Sequence, residues 1–133
     1  MKGIILSAGY GKRMQPLTNY IQKTMLPLAD GKPIIHHIMD AFVTNGLEPI
    51  VAISRENYGQ QVQHYCGTAF HNKIKYSMED QPRGTAGAIL NAKPLLEGEK
   101  DFLIWYGDTV ANINIPRMIN QHCREKNTIT LCG

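Results

Sequence analysis

Lys2-Gly3-Ile4-Ile5-Leu6-Ser7-Ala8-Gly9-Tyr10-Gly11-Lys12-Arg13-Met14-Gln15-Pro16-Leu17-Thr18 is the stretch that decides the architecture. Residues 2–7 form a short apolar run that ends at glycines, the pattern of a buried strand. Glycines directly after a strand let the backbone approach a phosphate and aim N–H groups at it. Lys12 and Arg13 add positive charge at that spot, and an arginine fork makes two parallel bonds to phosphate. A two-glycine turn alone is equally an ordinary connector between a strand and a loop.

Outward from this stretch, apolar runs alternate with helical spacing. Ile34, Ile35, Ile38, Met39 and Phe42 recur at helical intervals, with Pro33 just inside the start and Gly46 just past the end. Residues 49–54 (PIVAIS) read as a second strand, 58–66 as a short helix and 73–78 as a third strand. Residues 85–93 read as a helix of small residues stopped by Pro94. Residues 102–106 (FLIWY) read as a buried strand, and Asn114 caps a helix carrying Ile115, Met118, Ile119 and Cys123. Residues 128–132 (TITLC) read as a last strand with no helix after it to cover it, which suggests a fragment or a shortened protein. The alternation predicts an α/β fold: a Rossmann-like, three-layer α/β/α arrangement around a mostly parallel central sheet, with residues 1–133 as one nucleotide-binding domain. Ligands of such sheets sit beyond the C-terminal ends of the strands, so the loops after Leu6, Met78 and Tyr106 are the ones to watch.

Three glycine motifs compete for the first loop. The dinucleotide fingerprint GxGxxG fails at its third glycine, where Met14 stands. The P-loop GxxxxGK[ST] fails as well, because Arg13 follows Gly11-Lys12 and Pro33 follows Gly31-Lys32. GxGxR-[ML]-x-P-L-T matches throughout, and with it the chain resembles the sugar-1-phosphate nucleotidylyltransferases.

That resemblance extends through three further segments. Lys23-Thr24-Met25-Leu26-Pro27-Leu28 and Lys32-Pro33-Ile34 are similar to the family's P-K-x-x-L-P-[LV] … K-P-[IL] pattern. Gln22 stands where the family usually has proline, and losing that proline is expected to loosen the loop that aims Lys23. Glu79-Asp80-Gln81-Pro82-Arg83-Gly84-Thr85-Ala86-Gly87-Ala88 resembles the family's base-reading segment. A glycine there lets a flat base approach, and a helix N-terminus at Thr85 leaves N–H groups free. A carboxylate at Glu79 suits a base that donates through N–H groups; guanine does so, and uracil and thymine also present an N–H. Gly107-Asp108 ends the FLIWY strand and is similar to the family's metal-binding G-D. The D-x-D of related glycosyltransferases is broken by Val110.

The resemblance implies in-line attack of a sugar-1-phosphate oxygen on the α-phosphorus of a nucleoside triphosphate, with pyrophosphate leaving. Arg13 and Lys23 take the catalytic roles. Leu6, Ala8, Gly9, Gly11, Arg13, Glu79, Gly84 and Thr85 bind the nucleotide, and Asp108 holds Mg²⁺. The resemblance covers only the first half of a typical member. The later, sugar-binding half carries a second metal-binding aspartate that no residue here matches. Base, sugar and even a non-sugar acceptor stay open, as does a homo-oligomer. The alternative is a non-catalytic nucleotide-binding or regulatory module derived from the family.

Composition narrows the remaining classes. The chain has 133 residues, 43% hydrophobic and 19% charged, with a net charge of +3. No block of five Lys/Arg occurs, and the tyrosines form no stacking platform, so neither feature points to nucleic acid. No apolar stretch reaches the roughly 20 residues of a membrane helix. The apolar start is too short for a signal peptide, which makes the cytoplasm the expected location. Cys66, Cys123 and Cys132 form no CxxC pair and are expected to be reduced and buried. The five histidines show no ligand spacing and are expected to be structural.

Overall fold

The computed structural model describes residues 1–71 and 73–132. In chain order the elements are β1 (Lys2–Leu6), α1 (Ile34–Thr44), β2 (Glu48–Ser54), α2 (Gly59–Ala69), β3 (Lys75–Glu79), α3 (Gly84–Ala92), β4 (Phe102–Tyr106) and α4 (Ile115–Glu125). The four strands make one sheet in the order β3-β2-β1-β4, and every pair is parallel. β1 sits between β2 and β4, with Leu6 level with Ala52 on one side and Tyr106 on the other. All strands therefore end at the same edge, and the loops after β1, β3 and β4 converge there.

Two cores flank the sheet. Ile5, Val51, Ile53, Leu103 and Trp105 pack against Ile35, Ile38, Met39 and Phe42 of α1, Val62 and Cys66 of α2, and Ile115 of α4. Ile4, Ile50 and Ala52 pack on the other side against Ala88 and Ala92 of α3 and against Leu96. This is the three-layer α/β/α arrangement expected. Each fully buried Ile or Phe stabilises the fold by roughly 1.5–3 kcal/mol through removal of apolar area from water. Phe42 and Trp105 meet edge to face, with ring centroids 6.1 Å apart.

Several boundaries differ from the sequence reading. Residues 128–132 form no strand, and no backbone ladder joins them to β4 among the described residues. Thr128, Ile129, Thr130 and Leu131 instead line a groove with Phe102 and Ile104 of β4, where Thr130 is tied to His122 at 2.9 Å. β-branched residues favour a pleated surface only where a neighbour strand supplies the ladder, and here none does. α3 ends at Ala92, just before Pro94 as expected, and a 3₁₀ turn, Lys93–Leu96, carries the chain on. Pro33 caps α1 from outside rather than opening it. Asn114 caps α4 as expected, its side-chain oxygen accepting from the Arg117 N–H at 3.0 Å.

The cysteines also divide. Cys66 is buried in the core, whereas Cys123 and Cys132 are exposed, contrary to the expectation of three buried thiols. In α4, Ile115 is buried and Met118 and Ile119 pack partly buried against the core, whereas Cys123 lies on the exposed face. Among the described residues no helix is long and apolar enough to cross a membrane.

Candidate functional site

The chain leaves β1 at Leu6 and turns sharply at Gly11, whose φ of 62° lies in the left-handed region. A side chain there would press on Thr18 Cγ2 and Lys23 Cβ, so glycine is required by space as well as by backbone angle. The Thr18 hydroxyl donates to the Gly11 carbonyl at 2.9 Å and fixes the turn. Asn57, buried beyond β2, donates its side-chain N–H to the carbonyls of Ala8 and Gly9. The carbonyls of the loop are thus tied back toward the protein. Tyr10 donates its hydroxyl to Glu56 at 2.5 Å, which pushes the phenol pKa up. Lys12 Nζ lies 5.4 Å from the Tyr10 ring centroid.

Gln22, where the loss of a proline was expected to loosen the loop, is itself buried and hydrogen-bonded. It is 1% exposed. Its amide N–H donates to the Ser7 carbonyl at 2.5 Å, and its amide oxygen accepts from the Thr24 N–H and hydroxyl at 2.6 Å each. Its own backbone N–H reaches Gln61 at 2.9 Å. Ser7 and Thr24 hydroxyls meet at 2.6 Å. A buried amide therefore pins the segment preceding Lys23 to the end of β1.

Asp108 follows β4 through Gly107. The Gly107 N–H donates to the Leu6 carbonyl at 2.9 Å, and a Cβ on Gly107 would collide with that carbonyl. Trp105 Nε1 donates to the Thr109 carbonyl at 2.7 Å and closes the same turn. The turn aims Asp108 at Lys23: Nζ to Oδ2 is 2.7 Å. The hydrogen bond from Lys23, with its positive charge, holds the Asp108 carboxyl below its ordinary pKa, against a smaller opposing effect of partial burial.

These loops enclose a cleft of about 380 Å³ at the C-terminal edge of the sheet, within the size range of small-molecule sites. Leu6, Ala8, Gly9, Gly11, Arg13, Lys23, Gly84, Thr85 and Asp108, singled out from sequence, all line it. Thr85, in the first turn of α3, brings that helix's free N–H end to the wall. Glu79 is the exception. It ends β3 beside the cleft but is 4% exposed and does not form part of the wall. Lys12 lines it too, as its charge beside the glycine turn suggested, and Tyr10, Thr24, Pro82, Ala88 and Tyr106 also line the cleft and were not singled out. None of the five histidines does. Among the described residues no three His, Cys, Asp or Glu side chains converge as a metal cage. A lone carboxylate suits an ion that completes its shell with water and substrate phosphates, as magnesium does.

The Nucleotidyl transferase family model matches residues 2–133. The D-glycero-alpha-D-manno-heptose 1-phosphate guanylyltransferase of Aneurinibacillus thermoaerophilus is 32% identical over 132 residues, which cover 98% of this chain and 56% of that protein. The UTP–glucose-1-phosphate uridylyltransferase AglF of Haloferax volcanii is 29% identical, over 95% of this chain and 51% of that one. The crystal structure of HddC from Yersinia pseudotuberculosis complexed with GMP-PN superposes with a TM-score of 0.78 at 26% identity, covering 91% of this chain and 53% of that chain. The chain spans about half the length of these relatives. With a family model matched along nearly its whole length and a parallel-sheet fold in common with solved members, the chain belongs to the nucleotidyl transferase family.

Proposed function

We propose that this chain is the nucleotide-binding part of an enzyme that transfers a nucleoside monophosphate from a nucleoside triphosphate to a sugar 1-phosphate, releasing pyrophosphate. The observation that carries the reading is the convergence of the Gly9–Gly11 turn, Arg13, Lys23 and Asp108 in one cleft, at the end of a parallel sheet where such ligands bind. The relatives' names support the reading, since they are sugar-1-phosphate guanylyl- and uridylyltransferases. A GMP-PN complex of a structural neighbour supports a nucleotide in the cleft.

In this reading the Gly9–Gly11 backbone and Arg13 cradle the triphosphate. An oxygen of the sugar phosphate forms a bond to the α-phosphorus. The bond from that phosphorus to its bridging oxygen breaks, and pyrophosphate leaves with the electron pair. The attacking oxygen is already anionic, so no side chain has to remove a proton. Positioning and charge neutralisation then supply the catalysis. Lys23, a compact cation, neutralises charge beside the α-phosphate. Asp108 would hold Mg²⁺, which supplies further charge neutralisation at the phosphates. Gly84 and Thr85 approach the base from the N-terminus of α3.

The test is pyrophosphate release with Mg²⁺, run across the common triphosphates against a panel of sugar 1-phosphates. Release that requires one partner from each set supports the reading. Triphosphate breakdown that ignores the sugar phosphate contradicts it.

A further inference from the structure

The corner between β2 and α2 reaches two loops of the cleft without entering it. Residues 56–61 stand outside the cleft wall. Yet Asn57, 4% exposed, donates its side-chain N–H to the carbonyls of Ala8, at 3.3 Å, and of Gly9. Glu56 accepts from the Tyr10 hydroxyl at 2.5 Å. The Tyr58 hydroxyl donates to the Asn19 carbonyl at 2.8 Å. The Gln61 amide donates to the Tyr20 carbonyl at 2.8 Å and accepts from the Gln22 N–H at 2.9 Å. Side chains of one corner thus hold both the Gly9–Gly11 turn and the segment that leads into Lys23.

The corner is itself held. The Arg55 and Glu56 N–H groups donate to the Glu79 and Asp80 carbonyls at 2.9 and 3.0 Å, which ties its start to the end of β3. Tyr58 has a φ of 55°, in the left-handed region that a tyrosine rarely adopts. Gly59 follows so close to β2 that a Cβ on it would stand 2.5 Å from the Ser54 carbonyl. A residue other than glycine keeps a left-handed backbone only where its surroundings over-determine it, and such residues gather at functional sites. Here the strained residue lies between Asn57, which reaches the glycine turn, and Gln61, which reaches the other loop.

We infer that residues 56–61 are a positioning clamp for the loops that receive the nucleotide's phosphates. The inference rests on the nucleotide reading above and deepens it. A phosphate is drawn to the N–H groups of a glycine turn and repelled by its carbonyls. Asn57 occupies the Ala8 and Gly9 carbonyls from outside the cleft, which leaves the N–H side of the turn for the ligand. Tyr58 and Gln61 fix the start of the Lys23 segment. Both loops answer to one corner, so the gap that a polyphosphate must bridge is set in one place. The clamp lies on the phosphate side and acts equally on every triphosphate, whatever its base.

The experiment is equilibrium binding of GTP, ATP, UTP, CTP and dTTP to the intact chain in Mg²⁺ near pH 8, with affinities corrected for the folded fraction seen by circular dichroism. It compares wild type, Asn57→Ala and Asn57→Asp. Asn57→Asp keeps the size of the side chain and removes its N–H donor. Expected is a loss of about tenfold in Asn57→Ala for each triphosphate that wild type binds, and a loss at least as large in Asn57→Asp, whose carboxylate faces two carbonyls. A residue that only filled space would leave folded Asn57→Asp at wild-type affinity. That result, or wild-type affinity in folded Asn57→Ala, overturns the clamp and leaves nucleotide binding standing. A loss for one triphosphate and not for another does so too. Absence of binding by wild type to every triphosphate removes both readings. Should the Asn57 variants not fold, Gln61→Met decides, because it keeps the length of the side chain and loses both amide bonds. It is expected to weaken every bound triphosphate by about fivefold, and unchanged affinity overturns the clamp.

Discussion

Lys23 Nζ and Asp108 Oδ2 lie 2.7 Å apart, joining residues that are 85 positions distant in the chain and that end two different loops. The two opposite charges satisfy each other in the wall of the cleft. Replacing either charge should then remove a contact to the reacting phosphates. Lys23→Ala and Asp108→Asn are each expected to lower the rate of pyrophosphate release by about 10²–10³. Steady-state assays at saturating triphosphate check this, and near wild-type rates in either variant would contradict its role.

The same pair has a pH signature. Asp108 is held below its ordinary pKa by Lys23, so its folded value is the depressed one. The ion pair's contribution to stability is fully present above the unfolded value near pH 4, and it is lost as pH falls through the lower folded value. The side chain is 43% exposed, and solvent screening keeps the effect small. Thermal unfolding of wild type and Asp108→Asn between about pH 2 and 7 should show a gap at the upper end that closes at the acid end.

Gln22 offers a test separate from chemistry. Gln22→Ala would leave the Ser7 carbonyl and the Thr24 N–H without partners in a buried place. The expected loss is about 1–3 kcal/mol in chemical denaturation. An unchanged unfolding midpoint would mean that the amide is dispensable.

Gly107→Ala should couple fold and function. Its Cβ would strike the Leu6 carbonyl, so the turn carrying Asp108 must shift away from β1. A destabilisation of about 1–3 kcal/mol is expected, with a fall in activity larger than the loss of folded protein explains. Far-ultraviolet circular dichroism alongside the rate assay separates the two.

The thiols give a simple count. Burial pushes the Cys66 thiol up to about 12, and it is enclosed in the core. Cys123 and Cys132 are exposed. Alkylation of native protein near pH 8 should therefore add two labels, and a third only after unfolding, because the thiolate is the reactive form. Mass spectrometry reads the number directly.

Most of the site was legible because its parts are local. The glycine turn after a strand, the small-residue helix start and a carboxylate at a strand tip each carry their structural reason within a few residues. What escaped depends on distant partners. Asn57 reaches Ala8 and Gly9 across the sheet edge, and Trp105 closes its turn through an indole N–H that periodicity reads only as apolar. Gln22 looked like a weakened loop because its bonds go to Ser7 and Gln61, which spacing cannot link to it. Residues 128–132 failed for the converse reason: strand propensity is local, but a strand exists only with a neighbour, and β4 pairs on one side alone.

The proposed function of the cleft is transfer of a nucleoside monophosphate. It is tested most directly with a triphosphate labelled at its α-phosphate, incubated with Mg²⁺, sugar 1-phosphate and either wild type or Arg13→Ala. The label is expected to move into a nucleotide-sugar only when sugar phosphate is present, with Arg13→Ala slower by about 10²–10³. Label that emerges as free nucleoside mono- or diphosphate regardless of sugar phosphate would contradict it. So would transfer that is unchanged in Arg13→Ala.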